Sequence, residues 1–127
     1  MTDKASVLVV DDNVGMVRTT AFILERKGYD VATARNGREA LEKIEDRAFD
    51  MIFMDIKMPT MNGVETYRKM KEIQPDAKVI MITAHAMEEL VEQAMEVGVD
   101  DILYKPLNFD RVLSMIEEKT GVRASPG

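Results

Sequence analysis

Asp55 closes the apolar run Met51-Ile52-Phe53-Met54, and Asp11-Asp12 close Val7-Leu8-Val9-Val10. Three carboxylates converging from two strand ends repel one another, and one is driven to hold a proton unless a cation intervenes. A divalent ion resolves that conflict. With oxygen donors only, hard magnesium suits the set better than zinc. Thr83 follows the run Val79-Ile80-Met81-Ile82, and Lys105-Pro106 follow Ile102-Leu103-Tyr104. A hydroxyl donor and a compact ammonium, set beside carboxylates and a metal, are what an aspartate needs to accept a phosphoryl group. The added phosphate brings about −1.5 to −2 charges and three strong acceptors, which Thr83 and Lys105 can meet with charge-assisted hydrogen bonds.

The elements that must position these groups follow from the hydrophobic pattern. Short continuous apolar runs, expected for strands buried on both faces, fall near 6–10, 30–34, 51–55, 79–83 and 101–105. Between them lie apolar sets at helical spacing: Val14, Val17, Ala21 and Leu24; Ala40, Leu41 and Ile44; Val64, Tyr67, Met70 and Ile73; Leu90, Val91, Ala94 and Val97. A fifth set is Phe109, Val112, Leu113 and Ile116. Gly28 and Gly98 stand where helices should end, Asn36-Gly37 and Asn62-Gly63 where they should begin, and Pro75 follows the third. Five β-α units predict an α/β domain with one parallel sheet and helices on both faces. In such sheets ligands bind outside the carboxyl ends of the strands, where all the polar groups named above are placed.

Composition excludes several alternatives. At 127 residues with 46% hydrophobic content, the chain suits a single compact domain. A net charge of −6 argues against direct nucleic-acid binding by this domain and against an anionic membrane surface. There is no cysteine, so thiolate sites and disulfides are absent and a reducing compartment is compatible. The start Met-Thr-Asp-Lys lacks a secretory apolar region and no stretch reaches membrane-span length, so a cytoplasmic location is expected. Eleven methionines are many for this length; most are read as adaptable core packing, with Met58 and Met61 offering a mobile contact surface after Asp55.

The stretches Val-Leu-Val-Val-Asp-Asp-Asn at 7–13, Met-Asp-Ile-Lys-Met-Pro-Thr-Met-Asn-Gly at 54–63, Ile-Thr-Ala-His at 82–85 and Tyr-Lys-Pro-Leu at 104–107 together resemble the receiver domain of two-component response regulators, over residues 5 to 119. The resemblance implies a flavodoxin-like, doubly wound sheet of order 2-1-3-4-5. It implies that Asp55 is the phosphoacceptor, and that Asp12, Asp55 and the Lys57 backbone carbonyl ligate Mg2+ directly, with Asp11 acting largely through water. It further implies that Lys105 reads the phosphate, that Thr83 and Tyr104 form a switch, and that the Lys105-Pro106 bond is cis. Partners implied are a sensor histidine kinase as donor and an unknown output domain or protein. In the family the surface of the fourth helix, fifth strand and fifth helix serves dimerisation or output, and a homodimer is left open. His85 and Lys57, each two positions beyond a key residue, are candidates for modulating phosphate lifetime. Residues 1–120 are read as the receiver domain and 121–127 as a C-terminal tail or linker.

Each residue alone has an ordinary explanation: Asp11 and Asp12 as helix caps, Asp55 and Thr83 as strand-end polar groups, Lys105 as a solvated lysine. None of these explanations requires all of them to share one end of the sheet. A dedicated phosphohydrolase of the haloacid-dehalogenase type would want a second acid two residues after the nucleophile, where Lys57 stands. A dinucleotide site fails because no glycine-rich turn follows the first strand. The reading is a signalling module that catalyses its own phosphorylation and slow dephosphorylation, with a phosphorylation-independent adaptor as a lesser alternative.

Overall fold

A computed structural model describes residues 4–84 and 87–124. Five parallel strands, β1 (Ser6–Val10), β2 (Asp30–Ala34), β3 (Met51–Asp55), β4 (Val79–Thr83) and β5 (Asp101–Tyr104), lie in the order β2-β1-β3-β4-β5. They alternate with α1 (Val14–Arg26), α2 (Gly37–Asp46), α3 (Gly63–Ile73), α4 (Glu88–Glu96) and α5 (Phe109–Thr120). The expected α/β architecture and strand order are therefore present. β5 stops at Tyr104, where its apolar run ends and one residue short of the expected span 101–105, although Lys105 N still donates to Thr83 O at 2.8 Å.

The period-two alternation of the strands sorts the core into two halves. Leu8, Val10, Ile52, Met54, Val79 and Met81 face one side, with Ala40 and Ile44 of α2, Val64, Tyr67 and Met70 of α3 and Ala94 of α4. Val7, Val9, Met51, Phe53, Ile80 and Ile82 face the other, against Val17 and Leu24 of α1 and Val112, Met115 and Ile116 of α5. That division follows from the strand order. The first crossover moves from β1 outward to β2 while the next three move the opposite way across the sheet, so crossovers of one hand put α1 and the other connecting helices on opposite faces. The sheet's order reverses between β1 and β3, the two strands that end in Asp11-Asp12 and Asp55.

Three expectations about packing need correction, the first being Ile73, which was counted in the apolar set of α3 but is 38% exposed at the last residue of that helix. Val14, counted in the apolar set of α1, is 47% exposed because it opens the helix beyond the edge of the sheet. Met58 is not a surface contact: it is buried in the core beside Ile56 and Val64. Most other methionines named by the core, including Met51, Met54, Met70, Met81 and Met115, are indeed enclosed.

Helix starts are set by asparagines. Asn13, Asn36, Asn62 and Asn108 each accept a backbone N–H from three residues onward, satisfying a donor that the helix cannot. Asn62 belongs to a full capping box, with Glu65 bonded back to the Asn62 N–H. Gly63 follows, and a Cβ there would lie 2.8 Å from both Asp55 O and Ile56 Cα. Only a residue without a side chain lets α3 begin against the end of β3, where Gly63 N donates to Ile56 O at 2.8 Å. Gly63→Ala is therefore expected to destabilise the domain by about 1–3 kcal/mol through overpacking. Urea unfolding of the variant would show it as a lower midpoint with little change in slope.

Candidate functional site

Register places the functional residues side by side. Val10 pairs with Met54, so Asp11 and Asp55 leave neighbouring strands at the same level. Asp55 pairs with Ile82, and Thr83 with Tyr104, which brings the ends of β4 and β5 to the same rim. One carboxylate oxygen from each of Asp11, Asp12 and Asp55 lies within 4.8 Å of the others. Asp11 is fully buried, Asp55 is 6% exposed and Asp12 is exposed. The acidic trio thus has two members sunk in the floor and one at the solvent edge.

Lys105 reaches between the two buried carboxylates. Its Nζ is 3.1 Å from Asp55 Oδ2 and 3.3 Å from Asp11 Oδ2. The contact with Asp55 has hydrogen-bond geometry, whereas Asp11 Oδ2 is close enough for an ion pair yet has no hydrogen-bond partner among the described residues. Asp11 Oδ1 accepts the Asn13 N–H at 2.9 Å, and Asp55 Oδ1 accepts the Lys57 N–H at 3.1 Å. Asp11 does not cap α1; Asn13 does, which leaves Asp11 to brace the loop through Oδ1 and to face Lys105 with Oδ2.

Electrostatics follow from this arrangement. Burial pushes the Asp11 carboxyl above its ordinary value of 3.8, and the Asp55 charge adds to the rise, against the Asn13 N–H and Lys105. Burial alone would lower Lys105, but its hydrogen bond to Asp55 and the charges of Asp55 and Asp11 outweigh that and hold the ammonium above 10.5. A carboxyl whose folded value is raised favours folding below 3.8, and that contribution is lost as pH rises through the raised value. Without added metal, the stability difference between parent and Asp11→Asn should therefore shift in favour of the variant as pH climbs from about 4 toward neutrality. Paired urea titrations in chelator would read this difference, and parallel pH profiles would contradict it.

A buried carboxylate oxygen lacking a hydrogen-bond partner, facing two further carboxylates, is a donor set suited to a hard divalent ion. On the rim, Thr83 is fully buried and its Oγ1 donates to Ala84 O at 3.0 Å, while Tyr104 is 47% exposed. The Lys105-Pro106 bond is cis. Thr60, in the loop after Asp55, has φ 72 and a Met61 N to Pro59 O bond of 2.8 Å across it, the strained form of γ-turn for a β-branched residue. His85 lies outside the described residues. The ion pair of Lys105 with Asp11 was not foreseen in the sequence, where the two residues are far apart.

Residues 7–117 match the family model of the response regulator receiver domain. The chain belongs to that family. It is 37% identical over 113 residues to the chemotaxis protein CheY of Thermotoga maritima, covering 88% of this chain and 94% of that protein. It is 35% identical over 116 residues to the transcriptional regulatory protein ZraR of Escherichia coli O157:H7, covering 91% of this chain but only 26% of that protein. The receiver thus spans about a quarter of that longer regulator's length. A CheY-like receiver structure from Methanospirillum hungatei superposes with a TM-score of 0.85 at 32% identity, covering 94% of this chain and 98% of that one. A Burkholderia pseudomallei response regulator, solved with a phosphorylated aspartic acid, calcium ion and citrate, gives a TM-score of 0.81 at 34% identity, covering 90% of this chain and 66% of that one. Receivers are signalling domains of two-component systems rather than dedicated enzymes. Among the described residues, no helix of this one is long and apolar enough to cross a membrane.

Proposed function

We propose that this receiver is a phosphorylation-controlled switch in which Asp55 is the acceptor, and that the observation carrying the reading is the acidic trio around Lys105. Asp12, Asp55 and the Lys57 carbonyl would hold Mg2+, with Asp11 acting through water. When bound, the ion supplies the positive charge that lets anionic carboxylate and phosphoryl oxygens approach. An Asp55 carboxylate oxygen attacks the phosphorus of a phosphohistidine on a sensor histidine kinase. The P–N bond breaks, and its electron pair stays on the imidazole nitrogen. Lys105 already points at Asp55 Oδ2 and pairs with the new phosphoryl oxygens, so it needs little reorganisation.

The switch then passes through Thr83. Its hydroxyl, bonded to Ala84 O in the unmodified protein, turns toward the phosphoryl group, and the Tyr104 ring moves inward. A preference of a few kcal/mol is enough to make a minor conformation dominant. Residues 1–120 are assigned to the receiver and 121–127 to a C-terminal tail or linker, of which Val122 and Ala124 pack on the core and Val122 O accepts the Tyr29 hydroxyl at 3.1 Å. The changed surface selects an output domain or protein in the cytoplasm. His85 and Lys57 are proposed to tune how long the phosphate survives.

The test is exposure to Mg2+ and a small phosphodonor such as acetyl phosphate, followed by intact-mass analysis. A single phosphoryl group, labile to hydroxylamine as an acyl phosphate must be, supports the switch. Repeated turnover of an external phosphomonoester would instead indicate a hydrolase, and no modification would indicate an adaptor.

A further inference from the structure

Among the described residues, the bonds that tie helix α4 to its neighbours gather at its C-terminal end. The other four helices have an asparagine side chain bonded at the N-terminus, but at α4, which begins at Glu88, Met87 stands in the cap position and makes no side-chain cap bond. Glu88 and Glu89 in its first turn favour the helix dipole, an electrostatic help that ties α4 to no neighbour. Its one fully buried residue, Ala94, is in the last turn, while Leu90 and Val91 are only partly covered.

The far end is fastened differently. Gly98, at φ 89, turns the chain so that Val99 N donates to Ala94 O at 3.2 Å and Gly98 N to Met95 O at 3.1 Å. The Gly98 carbonyl then accepts the hydroxyl of Tyr67 at 3.0 Å, and Tyr67 is a core residue of α3 only 3% exposed. Two residues on, Asp100 is clamped to β4: its N–H donates to Val79 O at 3.0 Å and its Oδ2 accepts Val79 N at 2.7 Å. The opposite end, which shows no such side-chain bond among the described residues, follows Thr83 in the chain, and the Thr83 hydroxyl is bonded to the Ala84 carbonyl.

We propose that Tyr67 is a positioning residue of the switch: its hydrogen bond to Gly98 makes the C-terminal end of α4 a fixed pivot, so that the response at Thr83 moves the N-terminal half of the helix. This rests on the phosphoacceptor reading above. The tyrosine remains a donor throughout the neutral range, since burial and the nearby Asp100 charge raise its hydroxyl above 10.0. Tyr67→Phe retains the ring that packs in the core and removes only the hydroxyl.

Two measurements on the full chain test the pivot. Without any phosphate mimic, amide exchange in Tyr67→Phe should quicken about three- to tenfold across Gln93–Val99, with α1 and α5 unchanged. With Mg2+ and beryllofluoride, amide shifts in the parent should be large over Glu89–Glu92 and fall to background by Gly98–Asp100. In Tyr67→Phe the Gly98 and Val99 shifts should at least double. A purely structural tyrosine would lower global stability without redistributing the shifts. Equal shifts at both ends of α4 in the parent, or superimposable profiles for the two proteins, would overturn the pivot. If beryllofluoride moves no amide near Asp55 or Thr83, the phosphoacceptor reading falls. Exchange then decides alone, and unchanged protection over Gln93–Val99 in Tyr67→Phe would refute the anchor.

Discussion

Asp55→Asn is expected to reduce phosphoryl uptake from acetyl phosphate to background while leaving the fold intact. The amide is nearly isosteric with the carboxylate and can still accept the Lys57 N–H that holds Asp55 Oδ1 at 3.1 Å. It presents no anionic oxygen to attack phosphorus, so the acyl phosphate cannot form. The same change removes one of three crowded negative charges, two of them on buried residues. Metal-free stability should accordingly rise by about 1 kcal/mol at neutral pH, since like charges this close repel even when partly screened, and Lys105, on losing its Asp55 partner, keeps the ion pair with Asp11 at 3.3 Å. Opposite signs for activity and stability are the distinguishing result. Intact mass after phosphodonor treatment and urea unfolding in chelator measure the two quantities. Continued modification at full stoichiometry would move the acceptor to another residue, and a large loss of stability would mean that the carboxylate is needed structurally.

Lys105→Ala is expected to act in the reverse sense on stability. Lys105 is the cation that bridges Asp11 and Asp55, at 3.3 and 3.1 Å, and its side chain is 29% exposed. Its raised value means that the contribution of the pair is fully present below 10.5 and lost only as pH rises through that higher value, so its removal is felt throughout the neutral range. With the ammonium gone, the buried Asp11 Oδ2 faces two carboxylates and no counter-charge. Partial solvent access at Lys105 discounts the penalty of a fully buried pair, to about 1–2 kcal/mol. Added Mg2+ should recover most of that loss, because the ion substitutes for the missing cation, and should stabilise the variant more than the parent. Phosphoryl uptake should still fall by roughly 10²-fold, as expected when a preorganised charge aimed at the transferring group is removed. Thermal or urea unfolding with and without Mg2+, together with the rate of mass gain, would measure both. Equal Mg2+ stabilisation of variant and parent would show that Lys105 and the metal do not share the same field.

The local grammar of the chain was legible because the three central strands, β1, β3 and β4, are buried on both faces, whereas the edge strands β2 and β5 are only partly covered. Continuous apolar runs such as Met51-Ile52-Phe53-Met54 have few readings other than a central strand, and the polar residue that ends each run marks where the sheet meets solvent. Asn36-Gly37 and Asn62-Gly63 announced their helices because an asparagine before a helical pattern satisfies amides that nothing else can. Less legible was the burial of individual residues near element ends. Val14 has the right spacing for the core but sits beyond it, and Met58 lies in a loop yet fills the core. Periodicity reports which face a residue is on, not how far the covering layer extends.

From the sequence came the residue types, their attachment to strand ends and hence the common rim to which Asp11, Asp12, Asp55, Thr83 and Lys105 belong. Those are properties of chain order and side-chain chemistry, which need no coordinates. Tertiary structure alone decided which pairs touch: Lys105 bridging Asp11 and Asp55, Asp11 keeping one oxygen without a hydrogen-bond partner, and Tyr67 fastening Gly98 from another helix. Such contacts join residues 31 to 50 positions apart or more, and their geometry depends on strand register and helix seating, which no local pattern encodes.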